Sequence, residues 1–214
     1  MSSHQTIWIA RHGNRLDFVN PEWFNTAKKR YDPPLSEDGF IQAKKLGKRL
    51  QSENIRHIFA SPFLRTIQTA SQVAEMLDIP VKLEAGLGEW HNPEWMNEYP
   101  EIHSRELLEK DYHHIDWNYS SYQVPKYPEV EITMMARMAE VAQKLVDNYS
   151  EDILLVGHGV SVIGVTQGLT KEKPNFKASL CCLVKLIKSE NNWKIELGGD
   201  TSHLSETESE IRFV

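Results

Sequence analysis

Three short apolar runs in this chain each stop at residues able to do chemistry. Thr6-Ile7-Trp8-Ile9-Ala10 runs into Arg11-His12-Gly13-Asn14-Arg15. Ile58-Phe59-Ala60 runs into Ser61-Pro62, and Ile153-Leu154-Leu155-Val156 into Gly157-His158-Gly159. Short apolar runs bounded by turn signals read as buried strands. In an open α/β sheet, ligands bind outside the carboxyl ends of the strands. An α/β fold is therefore expected, with its reactive groups gathered at one sheet edge.

The residue types at these ends suit phosphate. Guanidinium donates two parallel hydrogen bonds in a planar fork that matches phosphate oxygens. An imidazole between Arg11 and Arg15 is placed to attack phosphorus, unless the stretch is only a polar strand end. At the second junction, Ser61 is expected to cap a helix with Pro62 in its first position and Arg65 in its first turn. That end of a helix favours anions, although Arg65 alone would equally read as a solvated residue. At the third, Gly157 and Gly159 let backbone approach a ligand closely, while His158 could instead be a satisfied core histidine. A fourth piece follows the strand Val81–Leu83. Glu89, in Gly86-Leu87-Gly88-Glu89-Trp90, is either a solvated turn carboxylate or one whose pKa is raised by apolar surroundings, as a general acid needs.

These four pieces, in this order and approximate spacing, resemble the histidine phosphatase (phosphoglycerate-mutase-like) superfamily from Thr6 to about Gly198. Within it, Arg-His-Gly-x-Arg with Gly-Glu-Trp looks closer to phosphatases than to mutases, and resembles the phosphatase domains of the suppressors of T-cell receptor signalling and the phosphatase-like domain of fungal transcription factor IIIC. Asn14 departs from the mutase pattern, where Glu is common. The resemblance implies a three-layer α/β/α sandwich with a mostly parallel central sheet and an inserted helical and loop region over the active site. It implies that His12 carries the phosphoryl group and that Arg11, Arg15 and Arg65 clamp its oxygens with His158 and Gly159. It implies that Glu89 protonates the leaving oxygen and then activates water. No metal and no cofactor are implied, since the arginines and a histidine supply the positive charge. Three function classes follow: a metal-independent phosphomonoester hydrolase, a phosphoglycerate-type mutase, and a phospho-ligand or protein-binding module that has kept the fold.

Composition bounds the rest. The 214 residues carry a net charge of −6, which argues against direct non-specific nucleic-acid binding. A phosphorylated small molecule or phosphopeptide is the expected partner, and a homodimer is compatible with the sequence. No run approaches the roughly 20 apolar residues of a membrane span. A strand that begins almost at residue 1 leaves no room for a signal peptide. Cys181 and Cys182, adjacent in an expected strand, should face opposite ways and not form a disulfide. A cytoplasmic location fits.

One domain over 1–214 is expected, with an insertion at about 90–127. Ser36 should cap a helix carrying Phe40, Ala43, Leu46, Gly47 and Leu50. A second should run from Pro62 to about Leu77. A third should run from about Pro128 to Tyr149, burying Ile132, Met135, Ala139, Ala142, Leu145, Val146 and Tyr149. Met134, Met135 and Met138 read as core packing. Strands 178–187 and 193–198 should form a hairpin through 189–192, followed by a loosely held acidic tail at 205–210. The aromatic-rich loops 18–34 and 90–127 follow reactive strand ends and could overhang the site. His91, His103, His113 and His114 lack metal-site spacing and read as surface or packing residues.

Overall fold

The computed structural model describes residues 5–190 and 192–204. Strand β1 (Thr6–Arg11) is followed by two short helices, α1 (Leu16–Val19) and α2 (Trp23–Thr26), and by the longer α3 (Glu37–Leu50). Then come β2 (Ile55–Ala60), α4 (Leu64–Leu77), β3 (Val81–Leu83) and a single 3₁₀ turn at Ala85–Leu87. Helix α5 (Arg105–Asp111) lies in the insertion, ahead of α6 (Glu131–Asn148), β4 (Asp152–Gly157), α7 (Gly159–Thr170), β5 (Leu183–Ser189) and β6 (Asn192–Asp200).

The six strands form one sheet in the order β3-β2-β4-β1-β5-β6. The first four are parallel, and β5 and β6 run antiparallel at one edge. Period-two alternation divides the strand side chains between two cores. Ile7, Ile9, Phe59, Ile153 and Leu155 face one side, where α6 and α7 bring Met138, Val141, Leu145, Val162 and Val165. Trp8, Ala10, Ile58, Ala60, Leu154 and Val156 face the other, where α3 and α4 bring Leu46, Leu50, Ala70 and Val73. A parallel sheet covered on both faces needs apolar residues at consecutive positions, as these runs supply. The result is the expected three-layer sandwich. Among the described residues, no helix is long and apolar enough to cross a membrane.

Local chemistry sets the helix boundaries. Ser36 caps α3 as expected, its Oγ accepting from Gly39 N at 3.3 Å, and Glu37 and Asp38 favour the positive end. Helix α4 departs from expectation: it begins at Leu64, and Ser61 does not cap it. The buried Asp32 carboxylate accepts from Leu64 N at 2.6 Å instead. A carboxylate from a distant loop thus does a capping residue's work and frees Ser61 for another partner.

Helix α6 begins at Glu131 rather than Pro128 and turns a somewhat different face inward. Met134, Met138, Val141, Ala142, Leu145 and Val146 are buried as a core stripe, whereas Ile132 is 77% exposed. Strand β5 starts only at Leu183, because Cys181 takes a left-handed conformation, φ 54°, in the preceding turn. The two cysteines are buried and outside a strand, yet they still join opposite cores. The hairpin joining β5 and β6 forms as expected, with Asn191 and the 205–210 tail outside the described residues.

Candidate functional site

The three junctions come together because β2, β4 and β1 are neighbours. Arg11 pairs in register with Gly157, and the ladder extends one bond further on each side. His12 N donates to Gly157 O and Ser61 N to Val156 O, each at 3.0 Å. The carboxyl ends of three adjacent strands therefore deliver Arg11, His12, Ser61 and His158 to one place, and the first turn of α4 adds Arg65.

His12 is 1% exposed. Its Nδ1 lies 2.7 Å from Gly13 O. A carbonyl only accepts, so Nδ1 carries the proton and Nε2 keeps its lone pair. Burial, then the neighbouring Arg65, Arg11 and His158, hold the His12 pKa well below its ordinary value. The ring is therefore neutral at neutral pH, in the tautomer of a nucleophile.

Two guanidiniums adjoin it. Arg65 is 1% exposed, and burial followed by the charge of Arg15 lowers its pKa to about 10, leaving it charged at neutral pH. One Arg65 Nη donates to Tyr31 O, the other to Glu89 Oε2, each at 3.3 Å. Arg11 donates to Ala178 O at 2.8 Å. The Nε atoms of both arginines are buried without a hydrogen-bond partner. Unsatisfied buried donors on cations are costly unless an anion can meet them. Arg15 is held on Asp17, Nε to Oδ1 at 2.9 Å, and its guanidinium stacks on Phe18 at 4.3 Å.

His158 is fully buried. Its ring meets that of His12 edge-on, centroids 5.5 Å apart. Its Nε2 lies 2.9 Å from Ser61 Oγ. Its Nδ1 lies 3.2 Å from both Arg65 Nη2 and Glu89 Oε2. That nitrogen either accepts from the guanidinium or donates to the carboxylate, so its proton follows the state of Glu89. Burial lowers the His158 pKa to about 4, against the pull of Glu89.

Glu89 reverses one expectation. Burial does push its pKa up, but His158, Arg65 and His12 outweigh that, and the carboxyl sits well below the ordinary carboxylate range. The glycines and apolar residues around it in sequence hid three nitrogen-bearing partners supplied by distant segments. Gly157 also plays a different part. A Cβ there would meet Ser161 at 2.6 Å, so the glycine admits helix α7 rather than a ligand. At Gly159, a Cβ would stand 3.6 Å from the Arg11 guanidinium.

Three residues that sequence reasoning passed over organise the surroundings. Asp32 also accepts from His103 Nδ1 at 2.8 Å and lies 3.9 Å from Arg65, tying the insertion to α4. Arg137 and Glu129 form a buried pair beneath the Glu89 loop. The only sequence signal for Arg137 was a charge within the apolar stripe of α6. Asn14 brackets α3, with Nδ2 donating to Asp38 at 2.7 Å and its N–H to Gln42 at 2.8 Å. His91 packs between Phe63 and Tyr99.

The family model of the histidine phosphatase superfamily (branch 1) matches residues 7–201. The chain belongs to the histidine phosphatase superfamily. The 55 kDa subunit of transcription factor tau from Saccharomyces cerevisiae is 32% identical over 177 residues, which is 77% of this chain and 40% of that protein. Human ubiquitin-associated and SH3 domain-containing protein A is 31% identical over 230 residues, 87% of this chain and 34% of its own length. The chain thus spans well under half of either relative. The crystal structure of the ecdysone phosphate phosphatase of Bombyx mori with tungstate superposes with a TM-score of 0.80 at 20% identity, covering 98% of both chains. Proteins named as phosphoglycerate mutases also match this chain.

Proposed function

We propose that this chain is a metal-independent phosphomonoester hydrolase that works through a phosphohistidine at His12. The observation that carries the reading is the state of His12: buried, neutral, protonated on Nδ1 by its bond to Gly13 O, and adjoined by two arginines with unpartnered buried Nε donors. A neutral Nε2 beside a cationic clamp is what in-line attack on phosphorus requires, since phosphoryl transfer depends chiefly on positioning and charge stabilisation.

In the first half-reaction the Nε2 lone pair forms an N–P bond and the ester P–O bond breaks. Arg11, Arg65, His158 and the Gly159 backbone hold the equatorial oxygens, and Arg15 contributes from the rim once it turns from Asp17. Glu89 gives its proton to the leaving oxygen. Its depressed pKa leaves it ionised before substrate binds, so the proton must arrive with the substrate. An anion in the clamp engages Arg65 and His158 and sets a negative charge beside the carboxylate, which raises its pKa. In the second half-reaction the carboxylate takes a proton from water as the water oxygen attacks phosphorus. The N–P bond breaks, and inorganic phosphate and neutral His12 are released. The guanidiniums supply the positive charge on which the chemistry depends.

Hydrolysis of para-nitrophenyl phosphate with a chelator present tests this reading against His12→Ala. Activity confined to the wild type supports it, and activity retained in the variant refutes the phosphohistidine. Phosphoryl transfer between phosphoglycerates without phosphate release would favour a mutase instead.

A further inference from the structure

Every one of the five N–H donors of Arg137 is engaged, and three of them serve the backbone that carries Glu89. The Nε donates to Glu129 Oε1 at 2.8 Å and one Nη2 hydrogen to Glu129 Oε2 at 2.6 Å. The two Nη1 hydrogens go to Gly86 O at 2.8 Å and Gly88 O at 3.1 Å, and the remaining Nη2 hydrogen to Glu89 O at 3.3 Å. Glu129 returns along the other side of the same loop. Its N–H donates to His91 O at 2.9 Å, and its carbonyl accepts from Trp90 Nε1 at 2.8 Å. The loop is thus held at Gly86, Gly88, Glu89, Trp90 and His91 by one ion pair.

Burial makes this pair informative. Arg137 is 2% exposed and Glu129 6%. Arg137 occupies the inward stripe of α6, among Met134, Met138 and Val141, where an apolar residue would ordinarily sit. Replacing a buried ion pair with well-packed apolar residues is often neutral or stabilising, so stability alone does not account for it. Three carbonyls converging on one point do need a donor centre, and only a guanidinium has the planar fork to meet a carboxylate and three carbonyls together.

We propose that Arg137 and Glu129 are positioning residues for Glu89, fixing the loop so that its carboxylate stands over the His12–His158 pair. The proposal rests on the reading of Glu89 as the general acid and base. The guanidinium sets the backbone at 86–89, the Glu129 main chain sets 90 and 91, and the insertion closes on the body at this point. The end of the insertion thereby decides where the acid stands.

The test is a double-mutant cycle with Arg137→Lys and Glu89→Gln, with kcat measured on para-nitrophenyl phosphate and on phenyl phosphate. Misplacing a catalytic group by about 1 Å costs up to roughly 100-fold. Arg137→Lys is expected to lose 10-fold or more on phenyl phosphate beyond its loss on para-nitrophenyl phosphate. It should add no further loss in the Glu89→Gln background. Equal losses on both substrates, or losses that multiply in the double variant, would overturn the proposal. The cycle separates this from the assignment of Glu89. If Glu89→Gln itself shows no preference for the better leaving group, the general-acid role fails, whereas non-additivity still reports coupling between Arg137 and Glu89. Should Arg137→Lys not fold, Glu129→Gln replaces it, since an amide has one oxygen and cannot keep both carboxylate bonds that hold the Arg137 guanidinium against its three carbonyls. The same non-additivity is then expected, and additive losses refute the positioning role.

Discussion

Removing the charge of Glu89 should make the site bind anions more tightly while slowing turnover of poor leaving groups. Its Oε2 lies 3.2 Å from His158 Nδ1 and 3.3 Å from Arg65 Nη2. A tetrahedral anion held by those same nitrogens would place an oxygen about 4 Å from the carboxylate, where two like charges repel by ~1 kcal/mol in water and ~4 kcal/mol at an effective dielectric of 20. The Glu89 side chain is 16% exposed, which sets the environment between those limits. The expected gain on Glu89→Gln is about 2 kcal/mol, or roughly 30-fold in affinity.

The pH dependence has a definite sign. The Glu89 pKa is depressed by His158 and Arg65 and would rise beside an anion, so binding takes up a proton. Wild-type affinity should fall as pH rises, while the glutamine variant lacks that slope. His158, with a pKa near 4, and the depressed His12 are both neutral across this range and contribute little to it. Sulfate is the probe, because it stays a dianion between pH 5 and 9. Calorimetric titration at low salt should show the roughly 30-fold gap at pH 8 and a narrower one at pH 5. Equal or weaker sulfate binding by Glu89→Gln at pH 8 would refute this account of the carboxylate.

Two further substitutions probe the frame around the site. Gly39→Ala sets helix propensity against packing. Alanine favours a helix by about 1 kcal/mol, but its Cβ would lie 2.1 Å from Asn14 O. Packing should win, with a net loss of about 1–3 kcal/mol in urea denaturation; a stabilised variant would refute that. Asp32→Ala removes the acceptor for Leu64 N and the partner of His103, and should cost about 2 kcal/mol and raise KM by loosening Arg65. Unchanged stability and unchanged KM would sink the link between Asp32 and Arg65.

Much of the fold was legible because its signals are local. Unbroken apolar runs marked β1 and β4, and Ser36 followed by Glu37 and Asp38 marked α3. Misreadings arose where a distant group overrode a local preference. Ser61-Pro62 has the look of a helix start, but Asp32 reaches Leu64 from 32 residues away and shifts the cap. Ile132 falls on the expected face of α6 but lies just past its start, clear of the sheet. Cys181 belongs to a turn whose left-handed backbone has no glycine to announce it.

The site divides in the same way. Residue identity at the strand ends pointed to Arg11, His12, Arg65, Glu89 and His158, because an apolar strand that ends in a charge or an imidazole needs some reason to carry it. The protonation of those groups was not legible. Neighbouring residues left Glu89 open between a solvated carboxylate and one with a raised pKa, whereas His158 and Arg65 hold it ionised. Strand and turn preferences act over a few residues, so local pattern was enough to bring these side chains to the sheet edge. Their charge states and the buried supports Asp32, Arg137 and Glu129 came from the folded arrangement, because electrostatic and hydrogen-bond partners are chosen in space by strand order.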